Sequence, residues 1–421
     1  MFSMPTRRQE ITPNDYELTS TDNPEEALKD IRVHRLLRYY TTHLAAWYDL
    51  NDRQRHFTDV VPVKARQSPL LLSAVLAFSA ASKHGSDAKE NLMDIAAFYH
   101  LQSVQILIRI TDNIQNLQTL DMVSRGEVLA AICLLRSYEI ISRSYSLCWP
   151  EPSSYIWPER LTSQSHLQGC YSLLATTRIE PEPGLARAAF WNYVREDITV
   201  ALMERRRLMI ELCPEHVPQD LEYDDDYANY VTILLGQVIN QCFDQHAGQL
   251  ELSQWRSLHD RLETWRACLP SSFEPVASVN PKNSSLPFIW TLHAWHGMLT
   301  ALDSTVLSPL TDKAAALQYY HTALIILLLA KPAPQPQTTV QNIGQISSLT
   351  QELDSHASEV CALAVTSESA SVWINAFGPI AFCALWLRDK SKSAEVAKAV
   401  RCWGSRTGWP VSKIVDLLTG Q

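Results

Sequence analysis

The residues best suited to chemistry lie in three apolar segments. In Pro287 to Leu307, PFIWTLHAWHGMLTALDSTVL, helical spacing puts Trp290, His293, Ala294, Gly297 and Ala301 on one face. Leu292, Trp295, Met298, Leu299 and Leu302 fill the opposite side, so a buried helix is expected. An imidazole on that face can give or take a proton beside stacked indoles, and Gly297 leaves room for a ligand or a second backbone. On this reading His293 is the proton carrier, and Trp290, His296 and Gly297 form a binding wall. The competing reading is a hydrogen-bonded core histidine with tryptophan as filler. His293 and His296 are three residues apart without carboxylate support, a poor metal pair, and no metal is expected.

A second segment, 187–212, carries an apolar stripe of Phe190, Tyr193, Val194, Ile198, Ala201 and Leu202, with Asp197 inside it. A carboxylate on a buried face is costly unless paired or protonated. Asp197 is therefore either a general base with a raised pKa or one half of a salt bridge to an arginine of a neighbouring helix. Tyr193 shares the stripe and is a further binding candidate. Arg195 falls off it and is expected at the surface. The third segment is 371–388, SVWINAFGPIAFCALWLR, where Pro379 frees the carbonyl of Asn375 and kinks the helix. Trp373, Phe377, Phe382 and Trp386 would then form a bent aromatic cavity wall, with Trp373, Asn375 and Phe377 as binding candidates, unless they simply pack around the bend. Arg136, Glu139 and Arg143 read as a solvated charge ladder, and Asp224, Asp225 and Asp226 as a loop before a helix at 228. No G-x-S-x-G, phosphate loop, Rossmann glycine pattern or H-E-x-x-H occurs.

The elements that must position these residues are helical almost throughout. Apolar residues recur at three- and four-residue steps over 70–82, 91–111, 127–147, 185–212, 228–247, 254–268, 287–307, 312–331, 352–367, 371–388 and 392–403. Proline marks the breaks, and alternating strand-like stretches are nearly absent. The expectation is an all-α protein with a mobile leader over 1–28 and a single large multi-helical domain over 29–421. The stretch 332–347, PAPQPQTTVQNIGQIS, is expected to be a disordered loop or a lid, and 148–165 a second loop. With 421 residues, 46% of them apolar, the chain is far from the composition of a disordered protein. Its net charge of −9 argues against wrapping nucleic acid. Nine cysteines without a single C-x-x-C suggest free thiols in a reducing compartment. The longest apolar run, Ala323 to Ala330, is short of a membrane span, and the polar N-terminus lacks a signal core. A cytoplasmic protein without membrane contact is expected.

Three stretches, read together, resemble the middle homology region of fungal zinc-cluster transcription factors. The first runs from Leu36-Leu37-Arg38-Tyr39-Tyr40 through His43-Leu44-Ala45-Ala46-Trp47-Tyr48-Asp49 to Arg55-His56-Phe57 and Val60-Val61-Pro62. The second is Ser68-Pro69-Leu70-Leu71-Leu72 with the apolar run to Ala80. The third pairs Leu134-Leu135-Arg136-Ser137-Tyr138-Glu139 with Ala188-Ala189-Phe190-Trp191-Asn192-Tyr193-Val194-Arg195-Glu196-Asp197-Ile198. The resemblance covers roughly residues 30–400 and implies the family's all-helical regulatory domain. Zinc-cluster factors also carry six cysteines that hold two Zn²⁺ ions and present a helix to DNA. Here the first cysteine is Cys133, so no specific DNA binding is expected from this chain by itself.

Within that family, the chain resembles stand-alone hetero-Diels–Alderases of tropolone–sesquiterpene biosynthesis. That likeness implies a cofactor-free pericyclase joining a quinone methide to a sesquiterpene such as humulene. Small hydrophobic substrates would be its partners, a homodimer is possible, and His293 and Asp197 would be its acid and base. The alternative is a regulator of a biosynthetic gene cluster that works through protein partners in the nucleus.

Overall fold

A computed structural model describes residues 18–86, 92–111, 122–146, 184–210, 212, 221–243, 250–282, 284–291, 313–332 and 339–420. Fourteen α-helices account for most of them, as the apolar periodicity predicts. Helices α1 (Pro24–Ala27), α2 (Ile31–Tyr39) and α3 (Val61–Lys64) are short. Between the last two, the chain passes through irregular turns and two left-handed residues, Asn51 and Arg55. Part of the stretch expected to be a leader is packed: Thr21 is buried and its hydroxyl donates to Gln102 at 3.0 Å.

Helix α4 (Pro69–Ser86) opens with proline at its first position, where no amide donor is lost. Every residue from Leu70 to Ser82 is buried, because α2, α5 (Leu92–Thr111) and α6 (Met122–Ser146) pack around it. Helix α6 leads to α7 (Leu185–Glu204), which buries fourteen of its twenty residues. Helices α8 (Asp224–Cys242), α9 (Leu252–Ala267), α10 (Lys313–Ala330), α11 (Thr339–Thr366) and α12 (Ala370–Cys383) form the other half. Helix α10 is apolar all round and packs between α8, α11 and α12. It is long and apolar enough to cross a membrane, yet 78% of it is buried inside the fold, as befits a core helix. Helices α13 (Lys390–Thr407) and α14 (Ser412–Thr419) close the C-terminal end. One hydrophobic core runs from Ala27 to Leu418.

Several expectations change. Residues 288–290 are not helical: β1 (Ala277–Val279) pairs antiparallel with β2 (Phe288–Trp290), Ser278 opposite Ile289. Pro281 and Pro287 interrupt helix formation there, and only Ile289 of the three turns inward. Asp224, Asp225 and Asp226 form the first turn of α8 instead of a loop. The Asp226 carboxylate accepts from the Tyr223 amide at 3.0 Å, and the helix dipole favours acids there. Helix α11 begins at Thr339, inside the stretch expected to be a loop or lid. Its early turns from 344 to 348 are exposed, so their helicity is driven by continuation from the buried half. Arg195 and Arg136 are 1% exposed instead of solvated, because α6 packs against both α4 and α7, and α7 against α6, α8 and α12.

Candidate functional site

Helix α7 crosses the middle of the fold, and its Glu196 side opens onto a cavity of about 50 Å³. Trp47 and Tyr48 close one end, Arg136 and Ser137 of α6 another, and Ile374 and Asn375 of α12 with Trp409 the rest. Helix α12 approaches closely because Gly378 lacks a Cβ, which would lie 2.7 Å from the Thr199 Cα. The helices touch there and part toward Asn375, which leaves the gap.

Burial pushes the Glu196 carboxyl up to about 8; Arg136 and Arg195 oppose that, and Glu139 adds to it. At that value the group is largely the neutral acid at neutral pH. Burial also raises the Tyr48 phenol well above its usual range, and its hydroxyl donates to Ser137 Oγ. Asn192 donates to the carbonyls of Tyr48 at 2.8 Å and Ala188 at 3.0 Å, while Arg195 donates to the Asn192 oxygen at 3.2 Å. The wall thus combines a neutral carboxyl, hydroxyls and amides with indole faces. It can hydrogen-bond a small neutral group, in a volume close to that of two liquid water molecules.

Of the residues singled out in the sequence, Asn375 lines this cavity, and its side chain donates to Ser371 O at 2.7 Å. Trp373 instead stacks on Trp403 with ring centres 5.7 Å apart, and its indole N–H donates to Ser367 O. Phe377 packs on Trp409, and Tyr193 is core. Trp290 is on the hairpin and 49% exposed, not on a buried helix wall, while its neighbour Ile289 accepts from the Thr366 hydroxyl. His293, His296 and Gly297 lie outside the described residues.

Asp197, fully buried, accepts from Arg206 at 3.0 Å and from the amides of Met209 at 2.6 Å and Ile210 at 3.3 Å. Burial raises its pKa while these partners oppose the shift. The carboxylate pins the chain that leaves α7, a job that leaves its oxygens engaged.

Sequence reasoning passed over Glu196. The signal was the run Arg195-Glu196-Asp197 within an apolar helix: three consecutive residues sweep about 200° of the circumference, so a charge had to point inward. It also passed over His321 of α10 and His356 of α11, whose Nδ1 atoms are 2.9 Å apart. Burial first, then the His356 imidazole, pushes His321 down to about 3, and burial lowers His356 as well. Their separation of 35 positions hides the pair from any local pattern. Among the described residues no three His, Cys, Asp or Glu side chains are grouped to hold a metal ion.

The profile of the fungal specific transcription factor domain matches residues 35–385. A transcription activator, AMTR1 of Alternaria alternata, is 22% identical over 408 residues, which cover 84% of this chain and 50% of that protein. The chain therefore spans about half the length of that relative. No solved structure matches. The matched region takes in the turns around Trp47, the α6–α7 pair that carries Glu196, and α12, which is every part of the cavity wall but Trp409: the chain belongs to the family of fungal-specific transcription factor domains.

Proposed function

We propose that the chain acts as a helical regulatory domain in fungal transcription, controlling gene expression through protein partners and working in the nucleus. The observation that carries this reading is the family match over residues 35–385 together with a transcription activator aligned along 84% of the chain. The charge of −9 and the lack of any C-x-x-C support recognition of DNA by a partner or by sequence outside these residues.

The finer reading, a pericyclase for a quinone methide and humulene, asks for an apolar cavity of several hundred Å³ shared by Trp290 and Trp373. Trp290 is half exposed on a hairpin, Trp373 is stacked on Trp403, the cavity beside Asn375 is about 50 Å³, and the larger apolar pocket of about 220 Å³ beside Phe382 and Trp386 includes neither Trp290 nor Trp373. Those positions favour the regulator. The test has two arms. Deleting the gene in its host and sequencing RNA should change transcripts of a defined gene set, restored by the wild-type chain. The purified protein should leave the rate and stereochemistry of the quinone-methide–humulene cycloaddition at the uncatalysed level. Unchanged transcripts with accelerated, stereoselective cycloaddition would reverse the assignment.

A further inference from the structure

A second cavity, of about 70 Å³, lies where the irregular turn 51–56 meets the first turns of α7 and α8. Its walls are polar, and five side-chain atoms buried there have no hydrogen-bond partner in the protein. They are Asn51 Oδ1, Arg53 NH1, Trp191 Nε1, Asp225 Oδ1 and Asn229 Oδ1. Folded proteins leave only a few such atoms per hundred residues, so five around one cavity is a concentration that packing alone does not produce. Asn51, Trp191, Asp225 and Asn229 are each more than nine-tenths buried.

The surrounding bonds show that the arrangement is held in place. The Asn229 amide donates to Asn51 O at 3.2 Å, which leaves its oxygen turned elsewhere. Asp52 is engaged by His56 Nδ1 at 2.9 Å and by the His56 amide, and Asp226 caps α8. Arg53 lies over the Tyr223 ring with its NH1 3.9 Å from Asp225 Oδ1, too far for a hydrogen bond and suited to a third group set beside both. Asn51, which lines the cavity, holds a left-handed backbone, φ 59°.

We propose that this cavity binds the head group of a free α-amino acid. The orphan atoms divide into two donors, the Trp191 indole N–H and Arg53, and three acceptors, the oxygens of Asn51, Asp225 and Asn229. A carboxylate satisfies the first set and an ammonium the second. Charges in the wall are balanced, with Asp52, Asp225 and Asp226 against Arg53, Arg187 and a histidine, so a zwitterion matches it better than a bare anion or cation. The volume takes an ammonium, a Cα and a carboxylate, and the cavity's opening lets a side chain project outward. Binding is read on the purified chain and stands whether or not the domain controls transcription.

The experiment is calorimetric titration of the full chain with L-alanine, propionate and alaninamide, the last two each lacking one charge of the zwitterion. L-Alanine should bind saturably at one site and the single-charge analogues at least tenfold more weakly. Trp191→Phe keeps the ring and removes the N–H, and should weaken L-alanine about tenfold; Asp225→Asn should weaken it comparably. Far-ultraviolet circular dichroism establishes that each variant is folded. The wild-type titration alone decides if one is not. Absence of saturable L-alanine binding at millimolar concentration overturns the proposal and leaves ordered water as the occupant; equal binding of the three ligands overturns it as well, because the site would then not read a zwitterion. Undiminished affinity in both folded variants would place any binding elsewhere and overturn it equally.

Discussion

Asp197 and Glu196 are neighbours on α7, and burial raises both carboxyls, yet the two sides of that helix offset that burial to different degrees. On one side Asp197 is saturated by a guanidinium and two backbone amides, which compensate a charge that burial disfavours. On the other, Glu196 faces a cavity with arginines acting only from a distance, and burial pushes it to the neutral form. What decides between structural anchor and adaptable acid is how many donors reach the oxygens, and neither residue type nor depth alone predicts that.

The largest effect should come from the saturated side. Asp197→Ala leaves two amides without their acceptor and takes from Arg206 one of its two carboxylate partners, and should lower unfolding free energy by about 3 kcal/mol in urea titrations. A loss below 1 kcal/mol would show that the anchor is dispensable and erase the contrast. Next, Gly378→Ala places a Cβ against the backbone of Thr199 and should cost about 2 kcal/mol by forcing α12 away from α7. Calorimetry of the thermal transition reads this directly, and an unchanged midpoint would mean the two helices are not in firm contact.

The pH dependence sharpens the comparison further. The folded Glu196 carboxyl binds its proton up to about 8, against an ordinary value of 4.5, so stability from it is full below 4.5 and is lost as pH rises to 8. His321 runs the other way. It titrates near 3 in the fold against 6.5 ordinarily, so its stability is full above 6.5 and is lost as pH falls toward 3. From 4.5 to 6.5 the Glu196 and His321 slopes oppose each other; above 6.5 Glu196 acts in the same direction as the raised Asp49 and His56. Glu196→Gln should therefore reduce the loss of stability between pH 6.5 and 8 by on the order of 1 kcal/mol, read from denaturant titrations at both pH values. A variant whose slope matches the wild type would mean that Glu196 is already ionised. The smallest effect is expected at Asn375→Ala, where the lost bond lies within its own helix turn: about 0.5 kcal/mol, visible only in careful thermal scans.

Much of the fold was legible in the chain. The unbroken apolar run of 70–82 announced a central helix, and the apolar spacing of 371–388 announced α12, because helical periodicity acts within a few residues. The segment 287–290 misled: Pro287-Phe288-Ile289-Trp290 has the composition of a buried helix, yet it pairs with 277–279, and pairing across a loop leaves no local trace. The candidate site was legible only at Asn375. Glu196 owes its role to α6 and α12 closing over it, and Arg195 is buried because α7 packs against α6, α8 and α12, which a stripe drawn on one helix cannot reveal.

By itself, the sequence determined the class: an all-helical domain, free of recognisable phosphate or metal motifs, with the order of elements that the family profile matches over 35–385. Helix periodicity, proline breaks and composition are short-range properties, encoded wherever they occur. Only the tertiary structure decided which polar groups are satisfied. It brought Arg206 to Asp197, His356 to His321, and Asn51, Trp191 and Asn229 to one cavity from positions up to 178 residues apart. A hydrogen bond needs its partners within about 3 Å, and that distance is set by how the helices pack.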